Sequence, residues 1–206
     1  MMLRKRRAAL LSKAAAPRPT VLEQNLFRLR SELAQYRGGR LKIAVLGQPG
    51  AGKSALIDLI TDRICVPRPV VGQQTDATDW SASLDAPLIH YCGDAAFVDA
   101  PGYDTLAHPV GAFLNGFPFQ EFDRLLLVLK GKVHESDDRL WQRLKDRSLV
   151  QRTMVARSFA EGLSEAELAD VREEFSERFD GRAVLFSNRT KTGIDQIKAF
   201  ALHGLG

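Results

Sequence analysis

Eight consecutive residues, Gly47-Gln48-Pro49-Gly50-Ala51-Gly52-Lys53-Ser54, have the types and spacing to grip a polyphosphate. The pattern is GxxxxGK[ST]. Glycines without a Cβ let successive backbone N–H groups turn inward around an anion. The positive end of the helix that follows, from Ala55 onward, points at the same place. Lys53 is expected to reach the β- and γ-phosphates, and Ser54 to give a hydroxyl to Mg2+, an ion that keeps most of its waters and needs few protein oxygens. A second set, Phe97-Val98-Asp99-Ala100-Pro101-Gly102, places Asp99 46 residues after Lys53. A carboxylate there suits a magnesium-bound water, and Gly102 offers a backbone N–H that can approach a γ-phosphate closely. Between the two sets runs a Pro-, Gly- and Thr-rich stretch, 65–79. In it Thr75 is the first choice, and Thr78 the second, for a hydroxyl on Mg2+ with an N–H on the γ-phosphate.

These residues need elements to hold them. Leu41, Ile43, Ala44, Val45 and Leu46 read as a strand feeding the glycine-rich loop, and 55–60 as a helix leaving it. Gly93-Asp94 is a two-residue turn signal between the apolar runs 88–91 and 95–98, so an antiparallel hairpin is expected directly before Asp99. Downstream, strands at 125–129, 153–156 and 183–186 alternate with helices. The first helix is capped near Ser136-Asp137-Asp138 and buries Leu140, Trp141 and Leu144. The second opens on a Ser164/Glu167 capping box with Leu168, Val171, Phe175 and Phe179 inward, and the third spans 193–202. Residues 103–122, with Gly111, Gly116 and Pro118, read as a second mobile loop, a switch, rather than a long regular helix. The expectation is an α/β, doubly wound sheet, mostly parallel with one antiparallel edge strand and the site at the strands' carboxyl ends.

With 206 residues and 45% hydrophobic composition, the chain suffices for one ordinary domain. Its expected parts are a basic flexible tail (1–19), an amphipathic helix (20–38) and the main domain (39–206). The helix follows from a Thr20/Glu23 capping box and from Leu22, Leu26, Leu29, Leu33 and Tyr36 at helical spacing, an apolar stripe for the domain or for a partner. No apolar run approaches the roughly 20 residues that span a bilayer. The net charge is +4, but six basic residues and no acidic one lie in 1–19, which leaves 23 basic against 25 acidic residues elsewhere. The basicity therefore belongs to the tail and is no specific nucleic-acid signal. The tail reads as a solvated terminus, a membrane- or nucleic-acid-touching arm, or an organelle presequence. Cys65 and Cys92 lack metal or redox spacing and read as half-buried packing residues of a reducing, cytoplasmic protein, at most peripheral to a membrane. The four histidines, His90, His108, His134 and His203, show no metal-ligand spacing.

Taken in order, the glycine-rich loop ending in Lys53-Ser54, the Thr-bearing loop and Asp99-Ala100-Pro101-Gly102 resemble the P-loop GTPases of the Era-like branch, with bacterial relatives of the immunity-related GTPases nearest. The likeness covers about 41–202. It implies a Mg2+-dependent guanine-nucleotide switch that hydrolyses GTP slowly, with ATP not excluded, and a protein effector as partner. Lys53, Thr75 and Gly102 take the catalytic positions; Ser54, Thr75 and Asp99 hold the metal. Tyr103 stands near where Ras-type enzymes carry a water-orienting Gln, and Gly50 where potassium-using members carry an Asn. The guanine-reading Asn/Thr-Lys-x-Asp motif is not matched after 153–156. Arg157 and Glu161 lie in its place, Glu161 one residue late, and Ser187-Asn188-Arg189 weakly resembles the purine loop, with Arg189 or Lys191 able to stack on a base. The alternative is a nucleotide-sensing interaction module with little or no turnover.

Overall fold

The computed structural model describes residues 18–36, 40–72 and 79–203. Residues 1–17, and the loop 73–78 with Thr75 and Thr78, lie outside the described residues. The chain forms α1 (Val21–Gln35), β1 (Leu41–Gly47), α2 (Lys53–Ile60), β2 (His90–Cys92), β3 (Ala95–Asp99), α3 (Val110–Gly116), β4 (Arg124–Lys130), α4 (Glu135–Asp146), β5 (Thr153–Ser158), α5 (Glu165–Arg178), β6 (Ala183–Leu185) and α6 (Ile194–Leu202). The six strands make one sheet in the order β2-β3-β1-β4-β5-β6. All neighbours are parallel except β2 and β3, the edge hairpin that Gly93-Asp94 turns.

Alternation along the strands divides the core in two. Ala44, Leu46, Val98, Leu125, Leu127 and Val155 face one cluster with α1, α3, α4 and α5. Ile43, Val45, Phe97, Leu126, Val128 and Ala156 face the other with α2 and α6. Strands buried on both faces read as near-continuous apolar runs, which is why β4 is Leu125 to Leu129 without a break.

Helix α1 lays its stripe on the domain itself. Its Thr20/Glu23 capping box forms, with Glu23 Oε2 accepting from the Thr20 N–H at 2.7 Å and Thr20 Oγ1 from the Glu23 N–H at 3.2 Å. Leu22, Leu26, Leu29 and Leu33 are buried, and so is Asn25, whose amide donates to the carbonyls of Trp80 and Ser83 at 2.8 Å each.

One expectation is filled in and one is corrected. Residues 103–122 hold the short helix α3, a 3-10 turn at Phe119–Glu121, and four phenylalanines, 113, 117, 119 and 122, each at most 1% exposed. The segment thus holds no long regular helix, as expected, and its rings pack on one another. Cys65 and Cys92 are joined in a disulfide across 27 residues of sequence. An isolated antiparallel bridge, Val66 to Tyr91, lays the segment after α2 along edge strand β2 and sets the two cysteines side by side. The pairing removes the basis for reading a reducing compartment from two thiols. No helix among the described residues is long and apolar enough to cross a membrane.

Candidate functional site

Strands β1 and β3 are adjacent and parallel, with Val45 in register with Asp99, so the glycine-rich loop and the Asp99 loop leave the sheet side by side at its carboxyl edge. Gly47 ends β1 with φ of 149°, and a Cβ there would stand 2.1 Å from the Val128 carbonyl oxygen of β4. Only glycine lets the chain turn off the sheet at that point. The loop then runs into α2, whose first residue is Lys53.

Lys53 is 8% exposed, and its ammonium donates to the carbonyls of Gly47 at 3.0 Å and Gln48 at 3.1 Å. The charge is thus carried back over the loop that should cradle phosphate. Ser54 Oγ donates to Asp99 Oδ2 at 2.5 Å. A hydroxyl at a helix start and a buried carboxylate at a strand end therefore meet, as the sequence expects of two metal-site oxygens. Gly102 packs directly on the loop: a Cβ there would lie 2.4 Å from Cδ and Cγ of Pro49. Pro49, Gly50, Ala51, Gly52 and Ala55 complete the turn and the first helical residues.

Tyr103 is wholly buried, tilted against Phe113 at 5.6 Å between ring centroids, and donates to Asp137 Oδ1 at 2.6 Å. Burial, and then the Asp137 charge, push the phenol well above the ordinary tyrosine range, so it stays a donor. Asp137 sits in the first turn of α4, where its Oδ2 accepts the His134 N–H at 2.9 Å. The Gln48 amide approaches the same carboxylate at 3.3 and 3.4 Å and donates to Ser136 Oγ at 3.0 Å. Sequence reading took Ser136 and Asp137 as helix caps only; nothing local marks their reach into the loop. His108, set aside in the sequence for want of metal-ligand spacing, is fully buried in the second loop with Nε2 3.3 Å from Asp79 Oδ1.

The remaining candidates gather at the ends of β5 and β6. After β5 the chain turns through Phe159 at φ of 60°, and a 3-10 turn, Ala160–Gly162, carries Glu161. The Ala160 N–H donates to the Phe186 carbonyl at 3.1 Å, which sets this turn against the loop after β6. There the Ser187 hydroxyl beside Glu161 holds its carboxyl below the usual range, with Arg189 and Arg157 adding to the effect. Ser187 Oγ accepts the N–H of Arg189 at 3.1 Å and of Thr190 at 3.0 Å. The Asn188 amide donates to the Gly52 carbonyl at 3.3 Å and ties this loop to the glycine-rich one. Arg157 is 8% exposed and turned along its own backbone, donating to the carbonyls of Ser158 and Phe159. Burial pulls its pKa down, with Glu161 opposing. Phe159 is 45% exposed, with the Lys130 ammonium 5.2 Å from its ring centroid. Lys191 is exposed.

Residues 42–157 match the model of a protein family described as 50S ribosome-binding GTPase. Among solved structures, the chain is similar to S. thermophilus NFeoB in a doubly substituted form bound to GDP·AlF4−, at 20% identity and a TM-score of 0.51, over 79% of this chain and 63% of that one. It is similar to S. thermophilus NFeoB bound to GDP·AlF4− and K+ at 20% identity and a TM-score of 0.50, over 79% of this chain and 61% of that one. These likenesses show the fold, and the chain spans less than two thirds of the length of those structures. No curated protein sequence matches this chain.

Proposed function

We propose a function from one premise: the chain belongs to the 50S ribosome-binding GTPase family, matched over residues 42–157. The reading is Mg2+-dependent binding of a guanine nucleotide and slow hydrolysis of GTP, the loops around Gly102 and Thr75 answering to the γ-phosphate as a switch. The observation that carries it is the 2.5 Å contact of Ser54 and Asp99, beside the buried Lys53. Both contacting atoms are hard oxygens, a donor set that fits Mg2+. Ser54 and Asp99 would hold the ion, with Thr75 first or Thr78 second as the third protein ligand. When bound, magnesium supplies charge neutralisation between the β- and γ-phosphate oxygens.

The chain's own groups do the rest. Lys53 swings its ammonium from the loop carbonyls to phosphate oxygens, and Gly102 turns its N–H to the γ-phosphate, as a catalytic contact. Glu161 accepts from the base, with Ser187 and Asn188 fixing the loop around it and Arg189 stacking. Arg157 braces the turn from behind. Within the family, the Era-like branch with bacterial relatives of the immunity-related GTPases remains our nearest assignment. The test is phosphate release from GTP by the purified chain with and without magnesium.

A second reading is favoured by one observation. The Tyr103 hydroxyl is bound to Asp137, so the residue following Gly102 does not orient an attacking water. A module that binds nucleotide, holds a protein effector through residues 103–122 and does not turn over also fits that arrangement.

We also propose a peripheral membrane contact through the basic arm 1–19. Each basic residue near an anionic surface contributes about 1 kcal/mol, a contact that salt screens. The full chain should float with anionic vesicles at low salt, and a chain beginning at Thr20 should not; equal flotation removes the arm from the account.

A further inference from the structure

We propose that Tyr103 is a positioning residue that sets the preference for triphosphate over diphosphate, by fixing Gly102 against the phosphate loop through Asp137. The proposal rests on reading Gly102 as the γ-phosphate contact. Tyr103 follows Gly102 directly, so wherever its ring is anchored, the Gly102 backbone is anchored too. The ring is wholly buried against Phe113, and its hydroxyl donates to Asp137 at 2.6 Å.

Asp137 is itself a fixed point. It is 2% exposed, its other oxygen accepts the His134 N–H at 2.9 Å, and the Gln48 amide approaches both oxygens. One buried carboxylate thus takes donors from α4, from the phosphate loop and from the residue after Gly102. A charged acceptor with several donors holds each of them more firmly than a neutral one. Gly102 also meets the phosphate loop directly, where a Cβ would lie 2.4 Å from the Pro49 ring. The Gly102 backbone is therefore tied to residues 47–54 twice, directly at Pro49 and through the Tyr103-Asp137-Gln48 chain.

The two nucleotide states feel this differently. A diphosphate is held by Lys53 and the amides of residues 47–54, which Tyr103 reaches only at one remove, through Asp137 and the Gln48 side chain. Only a γ-phosphate extends to Gly102, so loosening Tyr103 should weaken triphosphate binding alone.

Calorimetric titration of the full chain and of Tyr103→Phe with GDP and with a non-hydrolysable GTP analogue, in magnesium, tests this. Phenylalanine keeps the packing on Phe113 and removes only the donor. The variant should bind the analogue about fivefold to tenfold more weakly, the worth of one hydrogen bond, with GDP affinity and stoichiometry unchanged. In an Asp137→Ala background, Tyr103→Phe should cause no further loss, because its acceptor is gone. Equal weakening of both nucleotides would reveal a merely structural role, and no change in the analogue's affinity, or a full further loss in the double variant, would equally overturn the assignment. A parent chain that binds neither nucleotide overturns the nucleotide-binding reading itself, a result separate from any variant's behaviour.

Discussion

Replacing Lys53 with alanine should weaken nucleotide triphosphate binding by tens- to a hundredfold. Lys53 is 8% exposed, and its ammonium is already bent over the loop, on the carbonyls of Gly47 and Gln48. Moving to phosphate oxygens exchanges neutral acceptors for charged ones, and a charge-assisted hydrogen bond of that kind contributes about 2 to 3 kcal/mol. At 1.4 kcal/mol per factor of ten, that is roughly a 30- to 150-fold change in dissociation constant. The substitution should leave the fold in place, since Lys53 begins α2 and alanine is a better helix former. A fluorescent nucleotide titrated into both proteins measures the difference. An unchanged affinity would remove residues 47–54 from the phosphate site.

The second large effect is on stability. Phe117→Ala should cost about 3 to 5 kcal/mol, the usual range for deleting a fully buried phenyl ring. Phe117 is 0% exposed and lies 4.9 Å from the rings of Phe113 and Phe119, 5.5 Å from Phe122 and 6.4 Å from Trp80. No small shift closes a gap bounded by four other rings. A domain of this kind has a total stability of about 5 to 15 kcal/mol, so the loss would be a large fraction of it. Urea unfolding of the two proteins gives the number from the midpoints. A midpoint equal to that of the parent would mean that the second loop is not packed as described. The cluster also bears on α1: a Cβ on Gly116, at the end of α3, would meet Leu26 of α1 at 2.6 Å. The amphipathic helix and the second loop are therefore one packed unit, and loosening either should loosen the other.

What the sequence made legible is what local rules control. The glycine-rich loop announces itself because its pattern specifies four residues within eight consecutive positions, Gly47, Gly52, Lys53 and Ser54. The hairpin was readable because Gly93-Asp94 is a turn of known hand, and β4 because a strand buried on both faces has no polar alternate. Asp99 was singled out because its Asp-x-Pro-Gly ends an apolar strand 46 residues after Lys53. Side chains brought together over long stretches left no such mark. Tyr103 and Asp137 lie 34 residues apart, and each had a sufficient local reading, one as a departure from a motif and the other as a helix cap. Cys65 and Cys92 meet only because the chain after α2 pairs with the edge strand, an event no spacing rule encodes.

The second loop was obscured for another reason. Its phenylalanines fall at intervals of four, two and three, which match neither the helical nor the strand period, so tertiary packing alone orders them. At the proposed base-reading end, Glu161 counted one residue late in the sequence. The left-handed turn at Phe159 and the 3-10 turn after it bring that carboxylate to Ser187, so a count along the chain did not measure its place.

The most direct test of the whole account is phosphate release from GTP and from ATP, measured side by side on the full chain in magnesium. On the proposed reading, Lys53, the loop amides and Mg2+ would grip a triphosphate whatever its base, and Glu161 with the loop at Ser187-Asn188-Arg189 would supply the preference. A carboxylate left facing adenine would lose its hydrogen-bonding donors, at a cost of about 1 to 3 kcal/mol. Glu161 lies on an exposed turn, where water offsets part of that cost. The account predicts slow magnesium-dependent release, faster from GTP than from ATP by well under a thousandfold at limiting nucleotide. Release from ATP in preference to GTP, or none from either at any protein concentration, would contradict it.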